Sequence, residues 1–322
     1  MRPVGAEVTA RRGCLWVLIV LVGLIVLAGA FIVGVLVGAA LTGGGLLWFP
    51  GTVAVLEVNG TIQSGDQGGL FSSGTFSRTF ISQLDQARRQ PAVRAILIRV
   101  NSPGGDAVAS DEIYREIRRT RTEFKKPVVV YMESLAASGG YYVSAAADRI
   151  VANPNTLTGS IGVIITLPTY DELFNKIGIK VYVFRSGAFK DTTSGTRPLR
   201  PDEEALMQEL VNQAYQRFVD AVAEGRNLPR DRVLQVADGR ILTGSQARDA
   251  GLVDELGDFR RAVQLAAELG GIRGEPRLRN LSRRTGLAGL FGSLGIINPP
   301  AVAGPVLGFE NSISLMYLYT GF

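Results

Sequence analysis

Histidine is missing from this sequence, and cysteine occurs once, as Cys14. Without an imidazole, no Ser-His-Asp triad, Cys-His dyad or His-ligated zinc site can be built. One thiol rules out a disulfide within the chain. Its place at the mouth of a long apolar run leaves everything downstream without a thiol nucleophile. There Cys14 reads as apolar filler or as an acylation site. Any nucleophile is therefore a hydroxyl, an amine or a carboxylate. Lysine is scarce as well, limited to Lys125, Lys126, Lys176, Lys180 and Lys190. A hydroxyl nucleophile without histidine needs another base that can be neutral near working pH; a lysine in a dry site can be, and arginine cannot. The net charge of +5 comes from arginines scattered along the chain rather than gathered in a basic run, so no nucleic-acid partner is expected.

What is present begins with an uncharged run over residues 14–41, long enough to cross the roughly 30 Å hydrocarbon core as one helix. It is about twice the apolar core of a cleaved signal peptide, so it reads as a permanent anchor. Arg2, Arg11 and Arg12 precede it and no basic residue follows until Arg78, a bias that puts the N-terminus in the cytoplasm and the remainder outside. The glycines at 43–45 mark a short linker.

Beyond the linker, alternation over residues 53–58 and a largely apolar run over 95–100 predict strands, with further strands expected at 128–132, 150–152 and 181–184. Helical patterns cover 106–121, the small-residue stretch 136–147, and 202–224 after Pro198 and Pro201. Alternating strands and helices imply an α/β domain with a largely parallel sheet, whose sites lie at turns beyond the carboxyl ends of strands. Two such turns are rich in glycine: Pro103-Gly104-Gly105 and Ser138-Gly139-Gly140. At the second, Ser138 stands at a predicted helix start among residues too small to shield its hydroxyl. This suits a nucleophile, and it equally suits an N-cap serine with glycines for close packing. The first offers a backbone donor that could approach a substrate carbonyl, or merely ends a buried strand.

The ordered motifs Asn101-Ser102-Pro103-Gly104-Gly105, Ala136-Ala137-Ser138-Gly139-Gly140-Tyr141-Tyr142, Thr158-Gly159-Ser160-Ile161-Gly162-Val163 and Ser186-Gly187-Ala188-Phe189-Lys190-Asp191 resemble those of SppA-type signal peptide peptidases. These are Ser-Lys serine peptidases of the Clp protease/crotonase fold. The resemblance covers about residues 53–270. It implies Ser138 as nucleophile, Lys190 as general base, Ser160 as the hydroxyl that orients the lysine amine, and the N–H groups of Gly105 and Gly139 as the oxyanion hole. A neutral hydroxyl beside a lysine in an apolar pocket permits its pKa to fall where a carboxylate would oppose it, so Asp191 is expected to point away from Lys190. The other four lysines read as solvated surface. The resemblance implies no metal and no cofactor. It further implies a homo-oligomer whose sites are shared between protomers, with remnant signal peptides and membrane-associated polypeptides as substrates, cut beside small or apolar side chains.

The expected organisation is a cytoplasmic N-terminus at 1–13, a transmembrane anchor at 14–41, a linker at 42–52, a Clp/crotonase-like peptidase domain at 53–271, and a tail at 272–322. The tail's Arg277, Arg279, Arg283 and Arg284 suggest contact with other protomers or with the lipid bilayer. The chain would then be a single-pass protein of the cell membrane with its peptidase domain outside the cytoplasm. Three other readings share parts of this pattern: an NfeD-like membrane peptidase of quality control, a crotonase-type acyl-CoA enzyme, and a non-catalytic peptide-binding scaffold.

Overall fold

The computed structural model describes residues 20–34, 51–66, 73–282 and 316–318. Two units divide the chain, residues 1–49 and 50–322. In the first, residues 20–34 form helix α1, apolar and exposed along its described length, with Leu27 68% and Phe31 73% accessible. Both ends of the expected 14–41 anchor lie outside the described residues. Among the described residues, no helix is long and apolar enough to cross a membrane.

The second unit opens with β1 (Thr52–Asn59), β2 (Ile62–Gln63), β3 (Thr75–Phe76), α2 (Ser77–Arg89), β4 (Val93–Ser102), β5 (Gly104–Asp106) and α3 (Ala107–Thr122). Next come β6 (Val128–Ala137), α4 (Gly139–Ala145), β7 (Arg149–Ala152), β8 (Leu157–Gly159), α5 (Asp171–Lys176), α6 (Pro201–Arg226) and α7 (Arg230–Leu234). The order ends with β9 (Ile241–Thr243), α8 (Gly244–Asp249), β10 (Glu255–Leu256), α9 (Phe259–Leu269), β11 (Arg277–Asn280) and β12 (Met316–Leu318).

The main sheet runs β10-β7-β6-β4-β1-β11, with every pair parallel. β8 continues alongside the far end of β6, and β9 pairs antiparallel with β8. β1, β4 and β6 are largely apolar because both faces of the sheet are covered, with Glu57, Arg99 and Glu133 ion-paired to one another across the three strands. Ala54, Leu56, Ile96, Ile98, Val128 and Val130 pack into a core shared with α2, α3, α4 and α6. Their alternate neighbours Val53, Ala95, Leu97 and Val129 pack against Ala262, Leu265 and Ala266 of α9. The second sheet, β12-β5-β2-β3, is small and stands at the carboxyl end of β4.

The expected strands at 53–58, 95–100, 128–132 and 150–152 all form. β6 runs on to Ala137, so Ala136 and Ala137 are strand and the helix expected from 136 begins only at Gly139. The strand expected at 181–184 does not form: residues 178–185 have no regular structure, and Tyr182 and Phe184 are 76% and 96% exposed. Such a run becomes a strand only beside a pairing edge, and among the described residues none pairs with it. Residues 277–280, within the expected tail, extend the sheet by pairing with β1.

Candidate active site

Ser138 occupies the one-residue junction between β6 and α4. Its backbone has φ 53° and ψ −116°, a combination that costs a non-glycine residue on the order of 1–3 kcal/mol. Two main-chain bonds hold it there: Ser138 N–H donates to Gly159 O (2.8 Å), and Ser138 O accepts from Tyr142 N–H (2.8 Å). The residue is 1% exposed, and its hydroxyl makes no capping bond to α4. Ser138 is thus the N-cap residue of α4 by position but does not cap it with its side chain. A serine held in a strained turn without the cap bond leaves its oxygen available for other chemistry.

The glycine turn between β4 and β5 faces this junction. Gly104 has φ +101°, and a Cβ built there would stand 2.6 Å from Gly139 N. A Cβ on Gly139 would stand 3.1 Å from Gly104 Cα and 2.7 Å from Ser110 Oγ, so neither position admits a side chain without displacement. The turn is pinned by Ser102, fully buried, whose hydroxyl donates to Gly60 O (2.6 Å) and accepts from Gly104 N–H (3.1 Å). Nothing in the sequence pattern singled out Ser102; its place inside the Asn101–Gly105 motif was the available signal. Asp106 closes the same loop as N-cap of α3, accepting from Ala109 N–H (2.7 Å).

Ser160 lies beside Ser138. The parallel register pairs Ala137 with Gly159, so the two serines follow corresponding positions of adjacent strands. Ser160 also adopts positive φ (49°), is 8% exposed, and donates its N–H to Arg240 O (2.8 Å). It lines a cleft of about 670 Å³ together with Ile161, Val163, Tyr215 and Leu318.

Four of the five expected site residues, Gly105, Ser138, Gly139 and Ser160, thus converge at the carboxyl ends of β4, β6 and β8. Lys190 is not brought to them by any contact among the described residues. It is exposed, in a turn where its N–H donates to Gly187 O (3.1 Å). Next to it, Asp191 points away as expected: Arg197 Nε donates to its carboxylate at 3.0 Å, Arg185 donates as well, and these bonds lower its pKa from 3.8 to about 2. Arg197 also binds Glu203, which is fully buried and held charged by that bond, by Arg200 N–H and by the Thr192 hydroxyl.

Of the lysines read as solvated surface, Lys125, Lys176 and Lys180 are exposed. Lys126 is not: it is half-buried and its ammonium donates to Gln90 O and Val93 O (2.7 Å to the latter), with burial lowering its pKa. The carbonyls at the end of α2 and the start of β4 draw it in, a partnership invisible in sequence. The described tail strand was likewise unforeseen. β12 pairs antiparallel with β5, setting Tyr317 opposite Gly105.

The chain is 40% identical over 220 residues to a candidate protease of Methanocaldococcus jannaschii, spanning 68% of this chain and 70% of that one. It is 41% identical over 206 residues to a candidate signal peptide peptidase SppA of Enterococcus faecium, spanning 64% of this chain and 60% of the relative. Among solved structures, a ClpP1 point mutant from Listeria monocytogenes aligns with 65% of this chain and 93% of its own length, at 19% identity and a TM-score of 0.41. Residues 120–273 match the profile of peptidase family S49. On the M. jannaschii match and this profile, the chain belongs to peptidase family S49, with the SppA-type serine peptidases.

Proposed function

We propose that the chain is a membrane-anchored serine endopeptidase in which Ser138 is the nucleophile and Lys190, contributed by a neighbouring copy, is the general base. The carrying observation is Ser138 itself: buried, strained, free of a capping bond, and followed directly by the N–H groups that open α4. In this reading Ser138 Oγ attacks a peptide carbonyl while Lys190 Nζ takes its proton. The tetrahedral oxyanion receives the N–H groups of Gly105 and Gly139, each such donor contributing about 3 kcal/mol to transition-state stabilisation. Lys190 then protonates the leaving amine, and a water activated by the same amine releases the acyl group. Ser160 orients the amine.

Delivery of the lysine from a second copy is supported by the contrast between the two partners. Ser138 is closed in while Lys190 follows an exposed apolar segment containing Val181, Tyr182, Val183 and Phe184. Such a segment is suited to meeting another copy of the chain. The exposed apolar helix α1 supports anchoring in a bilayer, with the peptidase unit outside the cytoplasm and remnant signal peptides or other membrane-associated polypeptides as substrates. The test is hydrolysis of a fluorogenic peptide or casein by the full chain in detergent. Ser138→Ala and Lys190→Ala are each expected to lower the rate by at least about 10³-fold. Equal rates in all three proteins would end the Ser-Lys reading.

A further inference from the structure

Cations collect at the amino ends of β1, β4 and β11, where the chain enters the peptidase unit. A Cβ built on Gly51 would stand 3.0 Å from Arg94 Cγ and 2.7 Å from Ile272 Cγ1, and Arg277 N–H donates to Gly51 O (3.2 Å). β11 sets Arg277 opposite Thr52 and Arg279 opposite Ala54. Arg279 Nη1 donates to Gln90 Oε1 (2.7 Å), and Lys126 Nζ donates to the main-chain carbonyls of Gln90 and Val93. Arg94 is close enough to Lys126 for its charge to oppose that of the ammonium, and Arg273 follows directly on Ile272.

These arginines differ from the rest in lacking carboxylate partners. Elsewhere exposed arginines such as Arg89, Arg115, Arg230 and Arg248 are bridged to acidic neighbours at 2.6–2.8 Å. Among the described residues, Arg94, Arg273 and Arg277 are exposed with no ion pair and no side-chain hydrogen bond, and Arg279 meets only the neutral Gln90 amide. Other arginines without an ion pair, Arg149, Arg217, Arg232 and Arg260, are spread over β7, α6, α7 and α9. Glu275 is the one carboxylate between Arg273 and Arg279, so the patch keeps a positive excess. Like charges drawn together without counter-charges oppose folding rather than support it. Between Arg277 and Arg279, Leu278 is 47% exposed.

We infer that this end of the sheet is a docking face for anionic phospholipid headgroups. The inference rests on the anchored reading above, and it chooses lipid over a neighbouring copy, the two contacts that the tail's sequence suggested. Residues 42–50, between the expected anchor and Gly51, span at most about 30 Å when fully extended, so the tether keeps this end of the unit near the bilayer. Each Lys or Arg brought within about 10 Å of an anionic surface strengthens attachment by about 5-fold. The guanidinium groups suit phosphate oxygens, and Leu278 can enter the headgroup layer between them. The face lies at the opposite end of β4 from the candidate site. With the strands standing on it, a polypeptide must leave the bilayer by about 30 Å to reach Ser138.

The test embeds the full chain in nanodiscs of phosphatidylcholine, alone or with one part in three of phosphatidylglycerol. Hydrogen exchange over residues 92–95 and 272–280 is expected to slow by at least about 10-fold in the anionic discs, and high salt should reverse this. The combined substitutions Arg94→Gln, Arg273→Gln, Arg277→Gln and Arg279→Gln should abolish the difference between the lipids. Lysine at the same four positions keeps the charge and should retain it, and Arg115→Gln with Arg248→Gln should leave it unchanged. Equal exchange in both lipids would overturn the inference. So would protection that inorganic phosphate reproduces without anionic lipid, or that grows with protein concentration instead, the mark of an interface between copies. Flotation with vesicles of the same two compositions separates the face from the anchor. A chain that stays on phosphatidylcholine vesicles in high salt, yet shows no lipid-dependent protection, keeps its anchor and loses the docking face. One that floats only with phosphatidylglycerol and is released by salt upholds the docking face while the anchor reading fails.

Discussion

At the scale of single residues, the strained backbone of Ser138 makes a prediction that separates stability from activity. Glycine adopts φ 53° and ψ −116° without a Cβ penalty, whereas alanine keeps the strain. Both substitutions remove the proposed nucleophile, yet Ser138→Gly should be more stable than Ser138→Ala by about 1 kcal/mol in denaturant unfolding. Equal stabilities would show that the junction is not under strain. Ser102 offers a different kind of test, because it touches the turn and not the reacting atoms. Losing its bonds to Gly60 O and Gly104 N–H should destabilise Ser102→Ala by about 1–2 kcal/mol. If it also positions the oxyanion donors, kcat should fall several-fold with KM unchanged, a split that a purely structural role would not produce.

At the scale of elements, the turn carrying Lys190 is tied to the start of α6 by charge rather than by apolar packing. Arg197 bridges Asp191 and Glu203, Arg185 adds a second bond to Asp191, and Arg200 binds Glu203. Asp191 has its pKa depressed from 3.8 to about 2, so the stability it contributes is fully present above about pH 4 and is lost as the pH falls toward 2. Glu203 shifts in the same direction and adds to the same loss. Acidification from pH 5 to pH 3 should therefore loosen residues 185–203 before the main sheet unfolds. Hydrogen exchange by mass spectrometry would see this as early loss of protection in that segment, and Asp191→Asn should show the looser pattern already at pH 7.

At the scale of the whole molecule, the proposed dyad needs two copies of the chain. Two inactive proteins, Ser138→Ala and Lys190→Ala, should then regain hydrolysis when mixed under conditions that exchange subunits, because some interfaces pair an intact serine with an intact lysine. Recovery of no activity, alongside exchange demonstrated by fluorescence transfer, would place both residues in one chain. Phe184 gives the complementary experiment. At 96% exposure it contributes almost nothing to the core of its own chain, so Phe184→Asp should leave far-UV circular dichroism and unfolding of the isolated chain unchanged. Sedimentation should show a smaller particle and hydrolysis should be lost. An unchanged sedimentation profile would remove this segment from the interface.

Much of this protein was legible in its residue order. The absence of histidine and of a usable cysteine confined any nucleophile to a hydroxyl, an amine or a carboxylate, and the base for a hydroxyl to something other than histidine. The largely apolar stretches at 53–58, 95–100 and 128–132 marked central strands, because strands covered on both faces are rich in apolar residues on each side. The two glycine turns marked the end of the sheet where residues converge. The sequence could not show whether the Ser138 hydroxyl caps α4, since that depends on a backbone geometry and a hydrogen bond that a local pattern does not encode. It also misread residues 181–184, whose β-branched and aromatic composition forms a strand only beside a pairing edge that no described residue of the chain supplies. Lys126, Ser102 and Tyr317 owe their places to partners between about 33 and 212 positions away or to a turn's internal bonding, none of which a local pattern encodes. Local chemistry thus determined what kinds of group could act, and only the packing of distant segments decided which of them meet.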